Sequence, residues 1–436
     1  MQKAIEKAVN NFIEKSKGRI VRIISHHDTD GITSASIFAK ALERLNIPFT
    51  VKIIKQLDEE IINSLNKNDL IIFLDLGSSS LLNLGKLNEI FVIDHHEITS
   101  EIPINITLIN PHFFHEEDIS ASGLTYLFVK KINEQNKDLA NLAVIGMVGD
   151  MLDRELSKLN NHILQDAEVL IKKGLLLYPS TRPIHKALEF SSSIFIPGVT
   201  GNSRGAIELL REAGIEKNNK GYKSLIELNE DELSKLITAI LLRRGSRDSR
   251  DIIGNIYLVK FFNKLEDARE LSAMINACSR LGYYDIALLL CLGNRNSRIR
   301  AESIYADYKQ HIVSALNYVS NMNKIEGKNY IIINAKKEIK DTIIGTISSI
   351  LSMSSLYEEG TVIVGMAYCE DKIKISARVA GRNGRNVREI LESVTSKIGG
   401  ECGGHALAAG CLISKDKEKN FLDYLKKALD VELVKV

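Results

Sequence analysis

Two clusters of histidine and aspartate, His26-His27-Asp28-Thr29-Asp30-Gly31 and Asp94-His95-His96, are the residues of this chain best suited to do chemistry. Together with His405 they account for five of its ten histidines. Each cluster follows a short β-branched run that reads as a buried strand, and a third such run, Leu70 to Leu74, delivers Asp75 in the same way. Carboxylates crowded into one crevice repel and raise each other's pKa unless cations neutralise them, so three strand tips carrying aspartate and histidine imply a divalent-metal site. Asp28 or Asp30 alone would suit a helix cap, but an Asp-x-Asp preceded by two histidines exceeds what one cap requires. Which of His26 and His27 faces the metal stays open.

The elements that must position these groups alternate strand and helix: strands over 20–25, 49–54, 70–75, 90–94 and 106–109, with helices over 32–45 and 58–66. That is a doubly wound α/β pattern, in which ligands bind at the carboxyl ends of the parallel strands. Helices follow near 121–133 and 139–152. On the second, Asp150 shares a face with Ala143 and Met147, and a carboxylate on a buried face needs a cation or a full set of hydrogen bonds. Asp150 is therefore a further metal carboxylate, whereas Asp153 beside Arg154 reads as a solvated ion pair.

With 436 residues the chain accommodates two or three domains, and a formal net charge of +2 means that any grip on nucleic acid comes from local basic patches. No apolar stretch approaches a membrane span, and residues 1–17 form a charged amphipathic helix without an apolar signal region, so a cytoplasmic location is expected. Cys278, Cys291, Cys369, Cys402 and Cys411 are odd in number and form no Cys-x-x-Cys, which suits reduced core thiols.

Residues 175 to 300 read as mostly helical, with a turn-rich connection at Ile196 to Asn202 and an exposed loop of mixed charge at Arg243 to Asp251, where phosphate binding is the alternative reading. A long helix over 300–322 looks like an interdomain connector, and strands begin near Tyr330. In the last region a strand from Lys372 to Val379 carries Arg378, with Arg382, Arg385 and Arg388 beyond it. A glycine-rich loop from Gly399 to Gly410, including Gly403, Gly404 and His405, follows. Backbone N–H groups exposed by glycine and the forked guanidinium of Arg378 suit a phosphate clamp.

These spaced motifs resemble the DHH phosphoesterases, and within them the RecJ-like nucleases, along nearly the whole chain. His26-x-Asp28-x-Asp30-Gly31, Asp75, Asp94-His95-His96 and Asp150 match the metal motifs of the first domain. Gly403-Gly404-His405 with Ala408 and Gly410 match the phosphate-binding motif of the second. The stretch Asn276-Ala277-Cys278-Ser279-Arg280 is similar to an Asn-Ala-x-x-Arg segment, which adds Arg280 to the phosphate-binding residues, and Ile196 to Asn202 resembles the archaeal branch. His26 departs from bacterial RecJ, which usually has aspartate there, and the C-terminal OB-fold of that protein is not expected here.

The resemblance implies a doubly wound parallel-sheet DHH domain over 1–175, a helical insertion over 176–300, a connector helix over 301–325, and a smaller α/β DHHA1 domain over 326–436 across a cleft. It further implies two-metal phosphodiester hydrolysis with Mn2+, Mg2+ being the alternative. His26, Asp28 and Asp75 would hold one ion; Asp30, Asp75, His95 and Asp150 the other. Asp94 would orient a ligand histidine, and His96 would contact the scissile phosphate. The expected substrate is single-stranded DNA or RNA degraded from an end, in replication or repair, with the GINS replication complex or a repair helicase as partner. A phosphodiesterase of short oligonucleotides or cyclic dinucleotides and a non-catalytic replication scaffold are the alternatives.

Overall fold

The computed structural model describes all residues except 67, 154–155, 192–193, 220, 246–251, 355, 382 and 431–436. Two compact units emerge, Met1–Lys173 with Asn255–Ala306, and Gly174–Gly254 with Asp307–Val436.

In the first unit, β1 (Val21–His26), β2 (Phe49–Ile54), β3 (Leu70–Leu74), β4 (Ile90–Ile93) and β5 (Ile106–Ile109) form one parallel sheet in the order β2-β1-β3-β4-β5. Helices cover both faces, which is why β3 and β4 are continuous apolar runs without alternation. On one face lie α1 (Gln2–Ser16), α2 (Thr29–Arg44), α5 (Ala121–Ile132) and α6 (Ala140–Gly149). There the ring of Phe12 meets those of Phe38, Phe91 and Phe128 edge-on at 5.2, 5.3 and 5.8 Å between centroids. The other face packs Ile24, Phe73 and Val92 against α3 (Glu59–Asn63) and α4 (Leu81–Leu84). Strand order reverses between β1 and β3, so the crevice of a doubly wound fold opens at the tips of those two strands.

Further along come α7 (Lys158–Asp166) and β6 (Leu170–Leu175), then α8 (Ile184–Glu189), α9 (Ser203–Glu212) and α10 (Glu230–Arg244) of the second unit. The chain returns to the first unit through the hairpin β7 (Ile253–Phe261) and β8 (Lys264–Asp267), followed by α11 (Ala268–Arg280), α12 (Tyr284–Cys291) and the start of α13 (Arg295–Asn321). The region 176–300 is mostly helical but is interrupted by the β7–β8 hairpin, and its residues from 255 onward belong with the first unit, where α11 packs on α6 and α12 on α2. Arg243 and Arg244 close α10, Arg243 pairing with Glu212, so they are not loop residues; the remainder of the expected 243–251 loop, like Arg154 and Arg382, lies outside the described residues.

The second unit's sheet has the order β13-β14-β12-β11-β10-β9, built from β9 (Ile325–Gly327), β10 (Tyr330–Asn334), β11 (Val362–Cys369), β12 (Lys372–Val379), β13 (Glu401–His405) and β14 (Ala408–Ser414). Of these pairings, β10 with β11 is parallel and the rest antiparallel. Helix α14 (Asp341–Ser352) packs on β11 and β12, while α15 (Val387–Ile398) and α16 (Glu418–Leu429) close over a core of Ile375, Leu391, Phe421 and Leu425. The expected glycine-rich loop from Gly399 to Gly410 is instead the β13–β14 hairpin, with Gly403 opposite Gly410 and Gly404 opposite Ala409. A Cβ on Gly404 (φ +126°) would lie 2.5 Å from the Ala408 carbonyl oxygen, so at that position glycine serves strand closeness.

Candidate metal centre

His26 ends β1, and Asp28 is the N-cap of α2, its Oδ1 accepting the Gly31 N–H at 3.0 Å. Its other oxygen, Oδ2, lies 3.0 Å from His26 Nδ1. Capping and clustering are thus two jobs of one carboxylate. Asp30 sits a half-turn into α2, fully buried, and takes the N–H groups of Ala121 (2.7 Å) and Ser122 (3.0 Å) at the start of α5. Asp75 follows β3 with φ +59°, a left-handed conformation that aspartate tolerates better than most side chains, and its N–H is held by the Ile93 carbonyl at 2.9 Å. Asp150 is the C-cap of α6, one residue past the helix that the sequence extends to 152.

Asp75 stands at the centre. Its Oδ2 is 3.4 Å from His26 Nδ1, and its Oδ1 is 3.4 Å from His95 Nε2, which is itself 3.2 Å from Asp150 and 4.0 Å from Asp30. Two groups of ligand atoms result, His26 with Asp28 and Asp75, and Asp30 with Asp75, His95 and Asp150; a third combines Asp75 with His95 and His96. Both Asp75 oxygens and His26 Nδ1 are buried without a hydrogen-bond partner. Buried acceptors of this kind are costly unless something answers them, and a divalent cation answers several at once, so the residues present fit a metal. His27 turns away, its Nδ1 3.0 Å from His26 Nε2, which leaves His26 as the histidine facing the carboxylates.

The electrostatics agree. Burial, together with the charges of Asp28 and Asp30, holds the Asp75 carboxyl well above the usual carboxylate range, and burial with Asp30 and Asp75 does the same to Asp150. Burial works against a charged His26, but the adjoining Asp28 and Asp75 outweigh it and push the imidazole up to about 11. Burial and the neighbouring His26 lower His27 to about 4, with Lys55 and Arg280 adding to the effect. Protons are therefore held where cations fit.

Asp94, also fully buried, does not face the centre. Its Oδ2 accepts the Ser78 N–H at 2.9 Å, and its Oδ1 accepts the His95 N–H and His96 Nδ1–H, each at 2.8 Å. Burial opposes its ionisation, yet the hydrogen bond from His96 keeps its pKa low. The His96 ring is thereby fixed with Nε2 outward. Sequence reasoning missed three supports. Asn110, after β5, ties Ser78 Oγ to the His96 carbonyl at 2.9 and 2.8 Å. Asn276 of α11 accepts the Thr29 N–H at 3.1 Å, and Ser279 donates to the His27 carbonyl. Asn110 follows a strand as Asp75 and Asp94 do and carries that signal; the α11 residues lie in the segment similar to Asn-Ala-x-x-Arg, which does not show these contacts.

Within the second unit, Arg378 on β12 donates from Nε to Ser349 Oγ (3.0 Å) and from Nη1 to the Ala377 and Ala409 carbonyls (2.8 and 3.3 Å). His405 ends β13 exposed, opposite Ala408, beside Gly403 and Gly404, and in the first unit Arg280 is exposed at the end of α11.

The chain matches the DHH family, N-terminal domain, over residues 20–147, the DHH-CID domain over 177–250 and the DHHA1 domain over 319–430. An uncharacterized protein of Methanocaldococcus jannaschii is 30% identical over 99% of this chain and 98% of its own length. Among solved structures, CDC45 from Entamoeba histolytica superposes with a TM-score of 0.70 at 12% identity over 99% of both chains. RecJ from Thermus thermophilus, solved with Mn2+, gives 0.63 at 17% identity over 99% of this chain, which spans only 55% of that one. A parallel sheet bearing aspartate and histidine at its tips, an intervening helical segment and a separate mixed α/β domain define the class. The chain belongs to the DHH family and has a RecJ-like fold.

Proposed function

We propose that this DHH-family chain is a divalent-metal-dependent phosphodiesterase that shortens single-stranded nucleic acid from an end, with DNA favoured over RNA. The observation that carries the reading is Asp75, buried and unanswered at both oxygens, one aimed at His26 and Asp28, the other at His95 and Asp150. A bridging carboxylate needs that disposition. His26, Asp28 and Asp75 would hold one ion and Asp30, Asp75, His95 and Asp150 the second; Mn2+ suits the mixed carboxylate and imidazole set, and Mg2+ is the alternative. Bound there, the ions supply Lewis-acid polarisation of a phosphoryl oxygen and a water of lowered pKa.

The remaining work falls to the protein. Asp94 holds His96 so that Nε2 faces outward, where it contacts the scissile phosphate. The α5 N–H groups fix Asp30, and Asn276 and Ser279 fix the backbone of the 26–30 turn, so the carboxylates are placed before substrate arrives. Arg280, and in the second unit Arg378, Gly403, Gly404 and His405, are assigned to the substrate's phosphates.

End-labelled single strands, duplexes and dinucleotides of both sugars, incubated with Mn2+, Mg2+ or EDTA, test the reading. Metal-dependent laddering of single strands, with duplexes resistant, is expected. Faster cleavage of dinucleotides would favour the short-oligonucleotide enzyme instead. The fold shared with CDC45 favours a scaffold in a replication complex, with GINS or a helicase as partner, but the complete set of aspartates and histidines around Asp75 weighs against a purely structural role.

A further inference from the structure

At the far end of α2 and α6 from the metal centre lies a hollow of about 350 Å³, within the first unit. Lys40 and Arg44 of α2, Asp138, Lys260 and Phe262 of the β7–β8 hairpin, and Arg295 at the start of α13 line it. Asp30 and Arg44 are fourteen residues apart on one helix, which places the hollow about 20 Å from the cluster. One nucleotide cannot occupy both.

Three features of the hollow bear on a ligand. Four cations converge against one lining carboxylate, and although Lys40 pairs with Glu43 and Arg44 with Asp138, Lys260 and Arg295 carry no ion pair among the described residues. The two-residue turn Phe262-Asn263 is left-handed at both positions (φ +48° and +61°), a conformation that hairpins normally give to Asn-Gly, yet its first place holds a phenylalanine. Its ring packs on that of Phe261, 4.9 Å between centroids, and beneath the Arg298 guanidinium at 5.0 Å, and Phe262 also lines the hollow. Asn141, also in the wall, has a side-chain oxygen that is buried without a hydrogen-bond partner.

Basic side chains beside an aromatic ring are the recognition chemistry of phosphate plus base. The volume suits one nucleotide and not a strand. We propose that this hollow binds a free nucleotide, phosphates on Lys260 and Arg295 with Arg44 and Lys40 behind them, and the base against Phe262. The assignment is independent of the hydrolytic reading.

The test is calorimetric titration of the full chain in EDTA, which removes the metal centre from contention, with ATP, pyrophosphate and a twelve-residue oligothymidylate as probes. ATP is expected to bind with one-to-one stoichiometry, equally well in Asp75→Ala, and at least tenfold more weakly in a Lys260→Glu, Arg295→Glu double variant. Phe262→Asn, which suits the turn and removes the ring, should weaken ATP at least fivefold and leave pyrophosphate unchanged. No ATP binding to folded wild-type chain, binding unchanged in the double variant, or binding of the oligonucleotide in preference to ATP would each overturn the proposal.

Discussion

Asp75 and Asp94 are both buried aspartates at strand tips, and their surroundings separate their roles. Asp94 is satisfied by the backbone N–H groups of Ser78, His95 and His96 and holds the His96 ring; Asp75 has no donor of its own and is pressed between carboxylates. Replacing Asp75 by alanine removes the group shared by both ligand sets, so hydrolysis of an end-labelled strand should fall below detection. The metal-free variant should melt no lower than wild type, because charge crowding is relieved. Asp94→Asn keeps the shape but weakens the hold on His96, and the expected loss in activity or Mn2+ affinity is roughly 10–100-fold. The sequence shows both aspartates, since each ends a β-branched run. Residue types alone do not show which of the two faces the centre, because that depends on Ser78 and Asn110 folding back from elsewhere; only the family resemblance separates them.

Secondary structure carries the centre through close approaches that leave little slack. A Cβ on Gly146 of α6 would meet Ser122 Oγ at 2.1 Å and Asp30 Oδ1 at 2.6 Å, so Gly146→Ala should destabilise the chain by about 1–3 kcal/mol and weaken Mn2+ binding, read by thermal melts with and without the ion. At α11, Asn276→Ala leaves the Thr29 N–H without its acceptor, and the loss of about 1 kcal/mol should appear as weaker Mn2+ binding that Asn276→Asp restores in part. The five strands of the parallel sheet are readable from the chain to within a residue or two, most clearly where burial on both faces demands an unbroken apolar run, whereas β7 and β8 lie in a stretch that reads as mostly helical. The N-cap of α2 reads only as the alternative to a metal ligand, because Asp28 serves helix and cluster together, and the Gly403-Gly404 hairpin reads as a loop because glycine marks turns and tight strands alike. Asn276 acts across 247 residues of sequence, beyond any local pattern.

For the molecule as a whole, the linear order misleads where the chain doubles back. Residues 255–306 rejoin the first unit after an excursion of about eighty residues into the second, a return set by packing of α11 and α12 that no spacing announces. Among the described residues no helix is long and apolar enough to cross a membrane. Stability should respond to pH through the metal centre. His26, raised from 6.5 to about 11, binds a proton more readily folded than unfolded, so its contribution is complete below 6.5 and is lost as pH climbs toward 11. The raised carboxyls of Asp75 and Asp150 act with the same sign, while His27, lowered to about 4, no longer changes the balance above 6.5. In EDTA the melting temperature should therefore fall between pH 6.5 and 8.5, and added Mg2+ should raise it most at the upper end; a flat or rising profile in EDTA would contradict this.

The most direct test is hydrolysis of a single-stranded oligonucleotide by metal-stripped chain as Mn2+ is added back in measured equivalents. Two ions sharing Asp75 predict little activity through the first equivalent and a steep rise during the second. Full activity at one equivalent, or in EDTA, would contradict a two-ion centre, and no hydrolysis at saturation would contradict the phosphodiesterase itself.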